Sequence, residues 1–293
     1  MEIPSPIPLT VIILTFNEER NLSPCLESVV GWTEKIFVVD SGSSDRTKDI
    51  AQQYRSVVAE HPFETHAKQW DWALRNLPLT TDWILGLDAD QRTDDKLKQE
   101  ITHLFSKDQN GLQQIEGIYV RRKQIFRGRW IRHGGYGSKY LLKFFRRDKV
   151  RIDSDDRIDH HFFVSGKVLK LSGALIEENH KENDLNFWIE KHIHYAELQA
   201  EEELQRRRNG QWPISPSLFG TPDQRILWQK KFWYRLPLYL RSFLYFFWRY
   251  ILQGGFLDGK EGLIFHFLHA LWYRILIDIH LDELIRNHDY PRS

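Results

Sequence analysis

The chain opens on short apolar runs separated by stretches in which apolar residues recur every three or four positions. Val11 to Leu14 is a continuous apolar run that stops at Thr15, as a strand covered on both faces does. Leu22, Cys25, Leu26 and Val29 then repeat at helical spacing. The alternation continues with a strand over Ile36 to Val39, and a helix carrying Ile50, Ala51 and Tyr54 with Ser44 or Asp45 as its cap. A short strand over Val57 to Ala59 precedes a helix face of Trp70, Ala73, Leu74 and Leu77. Trp83 to Leu87 is a fourth strand, and Leu97, Ile101 and Leu104 mark the next helix. The pattern predicts an α/β fold, a mainly parallel sheet flanked by helices.

The pattern changes after residue 115. "GIYVRRKQIF" and "KYLLKFFRR" read as strands on either side of "RGRWIRHGGYGS", a loop rich in Gly and Arg, and "GKVLKL" reads as a further strand. A long helix is predicted from Leu185 to about Arg208, with Leu185, Trp188, Ile189, His192 and Ala196 on one face. "GQWPISPSLFGTPDQ" holds five Gly or Pro residues and reads as a linker. The predicted division is therefore residues 1–210 and a helical C-terminal region, 211–293.

That tail has its own character. "LPLYLRSFLYFFWRYIL" is strongly aromatic and is interrupted by Arg241 and Arg249. "LIFHFLHALWYRILIDIHLDELIRNH" is amphipathic, with Arg274, Asp278, Asp282 and Arg286 in one polar stripe. Two readings stay open and are compatible: a helical hairpin packed on the main domain, and a surface that contacts a membrane peripherally. No stretch reaches about 18 apolar residues without a charge, so no membrane-spanning helix is expected. The N-terminus lacks the basic and apolar regions of a signal peptide.

Composition narrows the function classes. The 293 residues include 41 Lys and Arg against 40 Asp and Glu, so no overall charge points to nucleic acid. A single cysteine, Cys25, excludes an internal disulfide framework and a cysteine metal knuckle.

Candidate chemistry gathers where the strands end. Ligands of open parallel sheets bind beyond the carboxyl ends of the strands. There the chain carries Thr15-Phe16-Asn17-Glu18, Asp40 and Asp88-Ala89-Asp90. No GxxxxGK[ST] loop and no GxGxxG follows the first strand, which argues against P-loop and dinucleotide chemistry. Two acids flanking one small residue suit a hard divalent ion whose remaining ligands come from substrate phosphates. For Asp45 a structural capping role is favoured; for Asp40, delivered to the edge by its strand, a binding role is. The loop residues Arg127, Arg129, Arg132, His133 and Lys139 combine cations with glycine flexibility, as a segment closing over a diphosphate or an anionic acceptor would.

In order, "TFNEERNLSPCLES", "VVDSGSSDRT" and "LGLDAD" resemble the three opening motifs of the family 2 glycosyltransferases, which have the GT-A fold. The resemblance covers roughly residues 8 to 180. It implies that Thr15, Asn17 and Glu18 line a nucleotide pocket and that Asp40 accepts a hydrogen bond from the donor base. It further implies that Asp88 lies near the ribose and that Asp90 binds a divalent cation, Mg2+ or Mn2+, under the diphosphate. Lys68, in "HAKQWDWALRN", stands where the family often has a basic residue near the donor.

An inverting member also needs a base for the acceptor hydroxyl. In "RIDSDDRIDHHFFVSGKVLKL" Asp159 is the first choice and Asp156 the competitor; His160 replaces an expected Glu, and His160 and His161 are read as a chance pair. His180 is an additional candidate for a metal or acceptor contact. "GGFLDGKEG" is read as a turn in which Asp258 can cap the helix that follows, and its likeness to bacterial relatives points to a lipid-linked or envelope glycan acceptor.

The expected function is an inverting, metal-dependent glycosyltransferase at the cytoplasmic face of the cell membrane, taking a nucleotide-sugar donor. The alternatives are a sugar-phosphate nucleotidyltransferase, and a non-catalytic membrane-associated nucleotide-sugar-binding protein. The first is disfavoured by the absence of a basic Gly-rich loop after the first strand, the second by the intact Asp40, Asp88 and Asp90.

Overall fold

The computed structural model describes residues 6–153 and 161–289. They form two compact units, one of residues 6–123, 139–153 and 161–180, the other of residues 124–138 and 181–289. The break at residue 180 lies ahead of the breaker-rich run that marked the division in the sequence. The reason is packing. The long helix before that run buries Ala196 and Ala200 against the last helix, with Tyr273, Ile277 and Leu281. Part of the run itself is helical: Thr221 and Gln224 form a capping box for the helix Pro222–Trp233.

The first unit is built on a sheet of β1 (Ile7–Thr15), β2 (Thr33–Asp40), β3 (Val57–Glu60), β4 (Trp83–Asp88), β5 (Gln91–Thr93), β6 (Gly117–Phe126), β8 (Tyr140–Arg146) and β11 (Val168–Glu177); the last residues of β6 belong to the second unit, where Ile125 and Phe126 pair with β7 (Arg129–Trp130). The strand order is β3-β2-β1-β4-β8-β6-β11-β5, with β7 on β6. β3, β2, β1 and β4 are mutually parallel. β8 and β6 join antiparallel, and β5 pairs antiparallel with β11. The change of pattern after residue 115 is thus a change from parallel to antiparallel pairing. β9 (Arg151–Ile152) and β10 (Phe162–Phe163) form a separate small pair.

β1 is central, and its side chains alternate between two cores. Val11 and Ile13 pack with Val38, Leu85 and Leu87 beneath α1 (Leu22–Glu27), α2 (Thr47–Gln53) and α4 (Asp95–Lys107), which contribute Leu26, Ala51 and Ile101. Ile12 and Leu14 pack with Phe37, Val39 and Ile84 beneath α3 (His66–Asn76), which contributes Trp70 and Ala73. Each fully buried aliphatic or Phe side chain contributes roughly 1.5–3 kcal/mol. Gly86 keeps the second core closed: a Cβ there would lie 2.8 Å from the Phe162 ring, which meets Trp70 edge-on at 4.8 Å. α5 (Gln109–Gln113) leads into β6.

The second unit is helical: α6 (Leu185–Asn209), α7 (Pro222–Trp233), α8 (Leu240–Phe246), α9 (Gly259–His266) and α10 (Tyr273–Asp289). Wide-turned segments, Phe247–Leu252 and Phe267–Trp272, continue α8 and α9. Trp188 of α6 is buried with Phe126, Ile131, Phe265 and Leu268. Gly210, at φ 63°, ends α6, just after Arg206, Arg207 and Arg208 place positive charge at its C-terminal pole. The polar stripe of α10 turns partly inward. Asp278 is fully buried and bonds Arg241 Nε at 2.7 Å, and Arg241 reaches Glu203 Oε1 at 2.7 Å. The helical run Gly255–Asn287, 33 residues, is by length and composition apolar enough to cross a membrane. Its α10 portion is instead packed on α6.

Candidate active site

β1 and β2 end in register, Thr15 opposite Asp40, and on the other side of β1 Asp88 lies opposite Leu14. The three polar strand ends singled out in the sequence therefore share one edge of the sheet. They lie where the strand order reverses, between β1 and β4, and such a point opens a crevice for ligands.

The first two ends are knitted together. Asn17 N donates to Ser43 Oγ at 2.8 Å, and Ser43 Oγ donates to Asp40 Oδ1 at 2.6 Å. Asn17 Oδ1 accepts from Ser44 N at 2.9 Å, Glu18 N donates to Thr47 Oγ1 at 2.7 Å, and Glu19 N donates to Asp45 Oδ2 at 3.1 Å. Asn17 adopts φ 54°, a left-handed conformation Asn tolerates better than most residues. Asp45 also accepts from Thr47 N at 3.0 Å, but the N-cap position of α2 is Arg46, which makes no side-chain cap, so Asp45 orders the approach to the helix from one residue ahead of the expected capping position.

Asp40 is fully buried and its carboxylate is occupied by the chain. Oδ1 accepts from Thr15 Oγ1 at 3.0 Å as well as from Ser43; Oδ2 accepts from Gly42 N at 3.0 Å and Ser43 N at 2.8 Å. A carboxylate has about four acceptor sites. Asp40 thus shapes the 41–47 loop, and any bond to a nucleotide base would compete with this set.

At the end of β4, Asp88 Oδ2 accepts from Lys143 Nζ at 3.0 Å, and the Lys143 side chain is only 5% exposed. Lys143 comes from β8, antiparallel to β4. Asp88 N donates to Gln91 Oε1 at 3.2 Å, Gln91 Nε2 to Glu177 Oε2 at 3.0 Å, and Arg122 bonds Glu177. Asp90 O accepts from Glu178 N at 3.0 Å, and Glu178 pairs with Arg92 at 2.6 Å. Asn21 bridges from the first loop, donating to Glu18 Oε2 at 2.7 Å and to Asn179 Oδ1 at 3.0 Å, and accepting from His180 N at 2.8 Å. His180 thus comes to the same edge through its backbone.

The field here is negative. Cys25 Sγ lies 3.7 Å from Asp88 O, and its thiol is pushed well up, first by burial and then by the charges of Asp90 and Asp88. A thiol held protonated in this way is inert. The paired carboxylates offer hard oxygen ligands, which fit Mg2+ or Mn2+. Among the described residues no group of three His, Cys, Asp or Glu side chains converges as a closed metal cage. A hard divalent ion can instead be held by one or two carboxylates completed by substrate phosphates.

Lys68 is exposed on α3 and pairs with Glu64. The α3 residue that reaches the strand ends is its neighbour Gln69, which is buried and donates to Ser41 Oγ at 3.1 Å while bonding His61 Nδ1 at 2.7 Å. Its signal in the sequence was an amide on the Trp70 side of an amphipathic helix. Lys143 had a plainer one, a lysine inside an apolar strand. Asp156, Asp159 and His160 lie outside the described residues, in the segment that follows β9 and precedes β10.

In the second unit, the Gly- and Arg-rich loop is pinned by Asp258. Its Oδ2 accepts from Arg132 N at 3.0 Å and His133 N at 2.9 Å, and its Oδ1 is 2.7 Å from His133 Nδ1. The turn reading of "GGFLDGKEG" stands, but Asp258 makes no side-chain cap on α9. Gly134, at φ 63°, packs so closely on His266 that a side chain would collide with its ring.

The family model described as Glycosyl transferase family 2 matches residues 10–170. The lipopolysaccharide core biosynthesis glycosyltransferase LpsC of Rhizobium meliloti (strain 1021) is 27% identical over 270 residues, 90% of this chain and 91% of that protein. An uncharacterized glycosyltransferase of Rickettsia typhi is 31% identical over 98 residues, a third of each chain. Among solved structures, S. aureus TarS 1-349 aligns over 97% of this chain and 92% of its own at 13% identity, TM-score 0.45. Glucosyl-3-phosphoglycerate synthase from Mycobacterium tuberculosis, in complex with Mn2+, UDP and glucosyl-3-phosphoglycerate, aligns over 73% and 84% at 13% identity, TM-score 0.41.

Proposed function

Because the chain belongs to glycosyl transferase family 2, we propose that it moves a sugar from a nucleotide-sugar to an envelope glycan or lipid-linked acceptor, inverting the anomeric carbon. The observation that carries this reading is the single edge formed by the knitted ends of β1 and β2 and the carboxylates at the end of β4. In it, the loops held by Asn17, Glu18 and Asp40 receive the nucleoside. Thr15 and Asp40 act through the 41–47 loop they order. Asp88, held by Lys143, faces the ribose, and Asp90 holds Mg2+ or Mn2+. When bound, the ion stabilises the negative charge that develops on the departing diphosphate. Asp159, with Asp156 as the second acid, takes the proton as the acceptor oxygen bonds to the anomeric carbon and the bond to the diphosphate breaks. The acceptor class is supported by the name of the LpsC relative. An enzyme using such an acceptor works at the cytoplasmic face of the membrane, where nucleotide-sugars are at hand.

The test is product analysis. The purified chain is incubated with nucleotide-sugars, Mn2+ and a lipid extract of bacterial envelope. Release of a nucleoside diphosphate with sugar appearing in the lipid fraction supports the proposal. Release of pyrophosphate favours a nucleotidyltransferase, and donor binding without turnover favours a binding protein.

A further inference from the structure

The helical stretch from Leu240 to Leu252 is inside out. Its charged and polar residues Arg241, Ser242 and Arg249 are buried. Arg241 lies against Glu203 and Asp278, and Arg249 against the rings of Tyr136 and Tyr245, 4.5 and 5.2 Å from their centroids. The outward positions are the pairs Phe243 and Leu244, Phe247 and Trp248, Ile251 and Leu252, each residue 43–59% exposed. Each pair follows the last by four residues, so they form one stripe. Every exposed residue from Tyr239 to Leu257 is apolar or aromatic. Leu263 and Phe267, from α9 and its continuation, are exposed as well.

In water the hydrophobic effect drives apolar groups inward and leaves charges outside. A helix with the reverse arrangement is matched to apolar surroundings, and an exposed patch of this size marks an interaction surface. Charge identifies the partner. From Arg225 to Leu263 the exposed charged residues are Arg225, Lys231, Arg235 and Lys260, all cations, while of the two acids in this range Asp258 is buried and Glu261 is half-buried. Aromatic side chains beside exposed Lys and Arg suit the headgroup boundary of an anionic bilayer. We propose that this face docks on an anionic lipid bilayer, its apolar side chains entering the headgroup and acyl boundary while the cations meet lipid phosphates. It docks without crossing: α10, the rest of the long apolar run, is packed on α6 with Asp278 paired inside.

The test is co-sedimentation of the full chain with vesicles of phosphatidylcholine, with and without phosphatidylglycerol. Wild type sediments with the anionic vesicles. The double substitution Phe247→Glu with Trp248→Glu lowers the partition at least about tenfold. Phe63→Glu, an exposed Phe of the first unit, leaves it unchanged. Because both substituted side chains face outward, the lipid-free melting temperature of the double variant stays at or above that of wild type, separating lost docking from lost folding. The proposal is overturned if wild type stays in the supernatant with both vesicle types, or if the double variant binds as well as wild type. It is overturned equally if wild type is an oligomer that the double variant dissolves while neither binds lipid, since the face is then a protein interface.

Discussion

Lys143 Nζ stands 3.0 Å from Asp88 Oδ2, joining a buried cation on β8 to the first acid of the "DAD" triplet. The pair sets the charge of the site: one of its two carboxylates is compensated from within the sheet. A buried ammonium is tolerated only when paired, and an acid losing its partner is left uncompensated. Replacing Lys143 by Met is expected to cost about 2 kcal/mol, below the fully buried case because Asp88 is partly exposed. Urea unfolding checks this, with the midpoint falling and the slope unchanged. Adding Asp88→Asn to Lys143→Met should recover part of the loss, and no recovery would mean that the two residues are not coupled.

Asp40 organises a loop, so its removal should disturb folding and binding together. Asp40→Ala leaves Gly42 N, Ser43 N and the Ser43 hydroxyl without their acceptor, and leaves Thr15 Oγ1 only its longer bond to Val39 O at 3.4 Å. Unmet buried donors cost about 1–3 kcal/mol each, with partial relaxation to water, so a net loss of about 3 kcal/mol is expected. Calorimetric titration with nucleotide should show weakened binding in the same variant. Full stability with lost binding would instead indicate direct contact with the ligand.

Acid should destabilise the helical unit through two histidines. Burial pushes the His192 imidazole down to about 4. Burial and the neighbouring Arg249 push His266 down to about 4 as well. Unfolded, each titrates near 6.5. Between pH 6.5 and 4 the unfolded chain therefore binds protons that the folded chain does not, so the stability these two histidines govern falls as pH falls through this window, and their contribution levels off below about 4. Melting temperatures across pH 7 to 4 should show the decline. His192→Phe, which keeps a ring against Trp188, should remove a substantial part of it.

The Arg241 cluster is a second sensitive point. Arg241→Met leaves the buried Asp278 without its cation, while Glu203 keeps Arg207 at 2.6 Å, and is expected to cost about 3 kcal/mol. Limited proteolysis and thermal melting would register this as early loss of the C-terminal helices. A variant as stable as wild type would show that other groups satisfy both acids.

Local patterning carried much of this architecture. The parallel strands and their helices follow from two-sided apolar runs and helical repeats, and the strand-end acids follow from where those runs stop. What escaped was contact between residues far apart in the chain. Lys143 meets Asp88 across a strand pair whose antiparallel register no local pattern specifies. Gln69 reaches Ser41 only after α3 folds onto the sheet. Asp258 was legible as a turn residue, but its bonds to Arg132 and His133 span 126 and 125 positions. In the tail, Arg241 and Arg249 were legible only as interruptions of a strongly aromatic run. Packing against Glu203, Asp278 and two tyrosines puts them inside and leaves the apolar side chains outside, which no local pattern specifies.

Thermal stabilisation by UDP, GDP, dTDP and CMP, with and without Mn2+, on wild type and Asp90→Ala tests the strand-end site most directly. A ligand that binds the native state alone raises the melting temperature, by about 2.7 kcal/mol of stability at a hundredfold excess over Kd. The predicted result is a metal-dependent rise with one nucleotide that disappears in Asp90→Ala. No rise with any nucleotide in wild type, or an undiminished rise in Asp90→Ala, would contradict a metal-bound nucleotide at the end of β4.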